Sequence, residues 1–141
     1  MKYGSALLSL LFFFNACTTK QTKNVLMQEM TTSETGVLFV NKLQDTPQLN
    51  ILTYLYYYNG AGVAAADFNN DGLTDLYFIG NQTENKFYLN KGDFKFEEVT
   101  KQAKLEGEKG WSSGVTVADV NGDGWMDIYV CQVANSKLFK G

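Results

Sequence analysis

Two nonapeptides hold the side chains most able to do chemistry. "DFNNDGLTD" spans residues 67–75, "DVNGDGWMD" spans 119–127, and both read D-x-N-x-D-G-x-x-D. Side-chain oxygens at the first, third and fifth positions converge on one point when the backbone curls. Glycine at the sixth position, Gly72 or Gly124, permits the sharp turn that a Cβ resists. The carbonyl of the seventh residue, Leu73 or Trp125, can then face inward, and the last Asp closes the ring. Each loop thus offers five or more hard oxygen ligands, with water to complete the set, which suits Ca2+. The expected ligands are Asp67, Asn69, Asp71, the Leu73 carbonyl and Asp75 in the first loop. In the second they are Asp119, Asn121, Asp123, the Trp125 carbonyl and Asp127.

Other readings of these letters fit less well. Six of the fifteen acidic residues sit in the two loops, and three carboxylates a few ångströms apart repel one another without a cation. Two bound Ca2+ would move the formal charge from −3 to +1, since −3 + 4 = +1. Mg2+ demands tight octahedral geometry and keeps its waters. Zinc, copper and iron favour His or thiolate ligands, and the chain has no His. An EF-hand opens with the same letters but needs Glu at its twelfth position and helices on both sides. That position holds Phe78 in one copy and Val130 in the other, and both flanks are strand-like. A pair of metal-free Asp/Asn/Gly surface turns is the plainer alternative; two loops in register count against it.

The elements that must position the loops repeat with them. "GVAAADFNNDGLTDLYFIG" (62–80) aligns without a gap on "GVTVADVNGDGWMDIYVCQ" (114–132), an offset of 52 residues. Each copy runs from a small-residue strand through the acidic loop to an apolar strand. "NKFYLNKG" and "FKFEEVT" follow the first copy as two further strands, and "SKLFKG" begins the same continuation after the second. A period of about four short strands is the content of a propeller blade. The expected fold is therefore all-β, about two blades of an incomplete propeller, and the chain reads as part of a longer one. Repeat 1 covers about 60–105 and repeat 2 about 110–141. Before them, "VLFV" and "ILTYLYYY" read as strands from their β-branched and aromatic content. Tyr54, Tyr56 and Tyr58 would then share one face, packed against the sheet or stacked on sugar rings. A short helix around Val25–Met30 has no good caps. "KQAKLEGEKGWSSG" has room for one helical turn.

The N-terminus has another composition. "MKYGSALLSLLFFFNAC" places one positive charge before an apolar run from Ala6 to Phe14, then a small residue before Cys17. This is the layout of a secretory signal peptide, and the run is about half the ~20 residues of a membrane-spanning helix. "FNAC" resembles a bacterial lipobox, with Phe14 where Leu is usual. The resemblance implies lipidation of Cys17 and an anchor in the bacterial envelope, with 18–36 as a polar tether and 37–141 as the repeat region. Cys131 is then the only other cysteine and reads as a structural thiol. A net charge of −3 disfavours nucleic acid as a partner.

The two copies resemble FG-GAP (VCBS-type) repeats, the blades of the integrin α-subunit propeller and its bacterial relatives. The Phe-Gly pair that names the family is absent: "NGAGVA" and "SSGVT" stand in its place. "NKFYLNKGDFKFEEVTKQAKL" is similar to the segment that follows each repeat in bacterial proteins related to cartilage acidic protein, many of which end in an ASPIC/UnbV domain. The resemblance implies Ca2+ held in the hairpin loops, in the ligand sets named above. It also implies a non-catalytic module that binds a protein or glycan. No catalytic residue is assigned: the Asp residues are committed to the loops, and no nucleophile–base pair accompanies them. The competing expectation is a non-catalytic part of a larger polysaccharide-acting enzyme.

Overall fold

The computed structural model describes residues 26–108 and 110–133 and the backbone of 136–139. The signal peptide, Cys17 and residues 18–25 of the tether lie outside the described residues. Among the described residues the elements in order are α1 (Thr32–Thr35), β1 (Gly62–Ala66), β2 (Asp75–Ile79), β3 (Lys86–Asn90), β4 (Phe96–Glu98), α2 (Thr100–Ala103), β5 (Ser112–Ala118), β6 (Asp127–Gln132) and β7 (Ser136–Phe139). They make two antiparallel sheets of order β1-β2-β3-β4 and β5-β6-β7. The fold is all-β, and each sheet begins with a hairpin whose loop is an acidic nonapeptide.

Alternation sets which side of each strand faces the core. Along β2, Asp75, Tyr77 and Ile79 are buried while Leu76 and Phe78 are half-buried. Tyr77, Ile79, Ala64 and Phe87 meet Ile128 and Val130 of the second sheet, with Val115 and Val117 packed alongside. This apolar seam joins the sheets. The small residues of β1 let β5 approach closely, since a Cβ on Gly62 would lie 3.1 Å from Val115 Cγ1. Larger side chains there would hold the sheets apart.

The segment before β1 departs from expectation. Residues 37–40 and 51–58 are not strands. Residues 37–44 are nevertheless extended, and Val37, Phe39, Asn41 and Leu43 turn inward in alternation. The segment crosses the face of the first sheet instead of pairing with its edge. Side chains take the place of a ladder. Leu38 N–H donates to Tyr88 Oη (3.2 Å), Lys42 N–H to Thr83 Oγ1 (3.2 Å) and Gln44 N–H to Gln82 Oε1 (2.6 Å). The tyrosine-rich run folds into turns because Asn50 starts them. Its Oδ1 accepts Leu52 N–H (2.9 Å) and its carbonyl accepts Tyr54 N–H (2.9 Å). Local side-chain hydrogen bonds thereby override strand propensity. Tyr54, Tyr56 and Tyr58 accordingly share no strand face. Tyr57 is the fully buried ring, 5.2 Å from Trp111 between centroids, and Tyr54 meets the same indole at 5.4 Å.

Residues 26–30 form no helix, and the first helical turn comes at α1 instead. Caps explain the shift: Glu34 accepts Thr31 N–H at 2.7 Å, which also holds its carboxyl below the usual range, and Gly36 ends the turn at φ +81°. Lys95 Nζ donates to the Glu34 carbonyl and ties this turn to the sheet. The connection after β4 holds the expected helical turn as α2.

Candidate metal centre

Both acidic loops close β-hairpins, and both are built from the same hydrogen bonds. Asp67 accepts Asp71 N–H (3.1 Å) through Oδ1 and Gly72 N–H (2.8 Å) through Oδ2. Asp119 does the same for Asp123 (3.1 Å) and Gly124 (2.9 Å), and also accepts Gly122 N–H. Asn69 accepts Asp71 N–H (3.1 Å) and donates to Asp71 Oδ2 (2.9 Å); Asn121 repeats this with Asp123 at 3.0 and 2.7 Å. Asp71 Oδ1 takes Leu73 N–H (2.8 Å), and Asp123 Oδ1 takes Trp125 N–H (2.9 Å). Two sequences that share only their polar skeleton therefore reach one loop geometry.

The backbone explains the glycines. Gly72 and Gly124 sit at φ +85° and +89° with nothing within 4 Å of a would-be Cβ, so conformation and not space selects glycine there. The fourth position matters equally: Asn70 and Gly122 are left-handed at φ +55° and +75°. Sequence reading overlooked it, although Asn and Gly are the residues that visit this region readily.

The last carboxylate of each loop is set apart from the others. Asp75 and Asp127 begin β2 and β6 and are almost wholly buried. Asp75 accepts Phe68 N–H (3.1 Å) and Asn90 N–H (2.8 Å), and Asp127 accepts Val120 N–H (3.0 Å). Burial pushes the Asp75 carboxyl up from its ordinary value. The two N–H donors oppose this, and the charges of Asp71 and Asp67 add to it. Asp119 is shifted the other way, held low first by the Gly124 N–H. Asn90, on β3, is a participant with no local signal, because its partner lies 15 residues earlier in the chain.

The structure thus brings Asp67, Asn69 and Asp71 into one network, with Asp75 within electrostatic reach, and likewise links Asp119, Asn121 and Asp123. Leu73 and Trp125 enter through their N–H groups. Among the described residues no three acidic or thiol side chains are gathered tightly enough to hold a metal ion. The carboxylates face loop N–H groups. The donor chemistry still fits a hard cation: every side-chain ligand on offer is a carboxylate or amide oxygen.

Residues 67–130 match the family model of the FG-GAP-like repeat. Over this span the chain is similar to FG-GAP-like repeats, and the match starts at the first residue of the first loop and runs through the second loop into β6. Repeats of this kind are generally non-catalytic modules of β-propeller type. No curated protein matches the chain.

Proposed function

We propose that the chain is a Ca2+-stabilised, non-catalytic repeat module of a bacterial envelope lipoprotein, anchored through Cys17, that presents a surface to a protein or glycan ligand. The observation that carries the calcium reading is the identical build of two loops at the same place in two sheets. In each, three oxygen-bearing side chains share one hydrogen-bond network before a left-handed glycine, and a buried Asp ends the loop. Asp67, Asn69, Asp71 and Asp75 would hold one ion with the Leu73 carbonyl, and Asp119, Asn121, Asp123 and Asp127 the other with the Trp125 carbonyl. The ion supplies positive charge beside carboxylates that accept loop N–H groups. Because the loops close the hairpins, binding free energy becomes folding free energy.

Calorimetric titration with Ca2+ tests the reading directly. Two equivalents should bind, and a chelator should lower the melting temperature reversibly. A melting curve indifferent to both chelator and Ca2+ would sink it.

A further inference from the structure

The ladder between β2 and β3 runs from Phe78 opposite Lys86 to Leu76 opposite Tyr88 and stops there. Beyond it, side chains take over the pairing. Asp75 Oδ1 accepts Asn90 N–H at 2.8 Å, and Asn90 Nδ2 donates to the Thr74 carbonyl at 2.9 Å. Each strand thus lends one side chain to the backbone of the other. Asp75 is buried at this point, and its second oxygen accepts Phe68 N–H at 3.1 Å. The carboxylate is therefore aimed from two directions, by its own loop and by β3.

Asn90 also serves the turn between β3 and β4. Its Oδ1 accepts Gly92 N–H at 2.9 Å, a side-chain turn of the kind Asn favours. Gly92, Asp93 and Phe94 follow in the left-handed region at φ +87°, +49° and +55°. Asp tolerates that region, but a bulky residue such as Phe stays there only at a cost in strain. The Phe94 side chain is 63% exposed, and backbone hydrogen bonds hold the turn: Lys95 N–H to the Gly92 carbonyl at 2.9 Å, and Lys91 N–H to the Lys95 carbonyl at 2.7 Å. Asn90 stands at their entry.

We propose that Asn90 is a positioning residue of the first Ca2+ site and makes the β3–β4 turn part of that site. The inference rests on the calcium reading above. Asp75 presents its carboxylate correctly only while Asn90 N–H is in place, and Asn90 is itself held by its bonds to Thr74 and Gly92. Coupling of this kind is reciprocal. An ordered turn raises affinity at Asp67–Asp75, and a filled site steadies the strained turn. Groups that orient a metal ligand from behind commonly set affinity by about 10- to 100-fold. The backbone N–H of Asn90 persists in any variant, so a substitution removes only the two side-chain contacts that aim it.

Calorimetric titration of the full chain with Ca2+ tests this, comparing wild type with Asn90→Ala. Amide NMR on the same samples follows Gly72 and Gly124 for the two loops, and Gly92 and Phe94 for the turn. In wild type the turn signals should move together with Gly72. Asn90→Ala should weaken the equivalent reported by Gly72 about 10- to 100-fold and leave the one at Gly124 unchanged. Its turn signals should no longer follow Ca2+. Melts in chelator and in Ca2+ separate this from a purely structural part: a structural loss lowers both melts equally, whereas a positioning loss shrinks the rise that Ca2+ produces. If circular dichroism shows that Asn90→Ala has lost its sheets, Asn90→Ser takes its place. A folded variant that binds both equivalents as wild type does overturns the proposal and leaves the calcium reading standing. So do equally lowered melts, or turn signals that still follow Ca2+ in the variant. A wild type that binds no Ca2+ overturns both.

Discussion

Asn81 donates from Nδ2 to the carbonyl of Ser112 at 2.7 Å, and both residues are almost wholly buried. Asn81 lies just beyond β2 and Ser112 opens β5, so this bond crosses from one sheet to the other. The same amide nitrogen reaches the Gly60 carbonyl at 3.0 Å, ahead of β1, and Oδ1 takes Asn41. One side chain thus joins the covering segment, the entry to the first sheet and the start of the second. Asn81→Ala strands the buried Ser112 carbonyl, at about 1–3 kcal/mol, and takes a partner from the half-buried Gly60 carbonyl and Asn41 amide, at about 1 kcal/mol each. The expected loss in urea denaturation is about 3 kcal/mol or more, and a loss under about 1 kcal/mol would deny Asn81 this role.

Calcium should act on the two loops separately, because each loop closes its own hairpin in its own sheet. Asp71→Ala and Asp123→Ala should each abolish one equivalent of Ca2+ binding and leave the other. At Ca2+ a hundredfold above Kd, each intact site adds about 2.7 kcal/mol of stability. Each single variant should therefore melt between the chelated and the Ca2+-loaded wild type.

The loops were legible because their information is local: oxygen at alternate positions, glycine at the turn, and the pattern repeated. The hairpins around them followed from the same period. What surrounds the hairpins was harder to read. "VLFV" has the composition of a strand, yet it and the residues after it cross a sheet face, because Tyr88, Thr83 and Gln82 supply partners for Leu38, Lys42 and Gln44. Those partners are 38 to 50 residues away in the chain, where no window on the sequence connects them. "ILTYLYYY" misleads for the opposite reason: Asn50, one residue before it, redirects the run into turns. Asn81 carries no local sign of its role, since its partners lie 21 to 40 residues away.

Glycine substitutions should divide by cause. Gly124→Ala forces a Cβ into φ +89° with open space around it, for about 1–2 kcal/mol, and Gly124→Asn should be milder. Gly80→Ala meets an obstacle: its Cβ would lie 2.2 Å from the Thr83 carbonyl oxygen, so the β2–β3 turn must move. Thermal melts of the three variants should rank Gly80→Ala as the least stable.

Alkaline pH should find Tyr77. Its hydroxyl donates to the Leu105 carbonyl (2.9 Å) and accepts Asn85 Nδ2 (2.8 Å), and burial pushes its pKa from 10.0 up to about 12. The folded state holds this proton more tightly than the unfolded chain. The stability tied to it is complete below pH 10 and is lost as pH rises from 10 to about 12. Tyr77→Phe should lose about 1–2 kcal/mol at neutral pH through the abandoned Leu105 and Asn85 partners, and should flatten the alkaline limb. Denaturant midpoints across that range measure both.

Cys17→Ser should move the protein from the membrane fraction to the soluble fraction of a bacterial envelope preparation. Phase partitioning in detergent reads this without any knowledge of the ligand. Retention of the variant in the membrane fraction would contradict the lipid anchor.

The hydrogen bonds within the acidic loops span two to seven residues of chain, and those to Asn90 15 to 16, whereas those made by Asn81 span 21 to 40. Short closures lose less entropy and form sooner than long ones. The hairpins are therefore expected to appear first, on the microsecond scale of isolated hairpins, with residues 36–44 settling over the first sheet last. For that interval a nascent molecule has finished loops and a bare apolar face. Its most adhesive moment falls near the end of folding, so dilution or a chaperone should raise the yield of refolding more than added Ca2+ does.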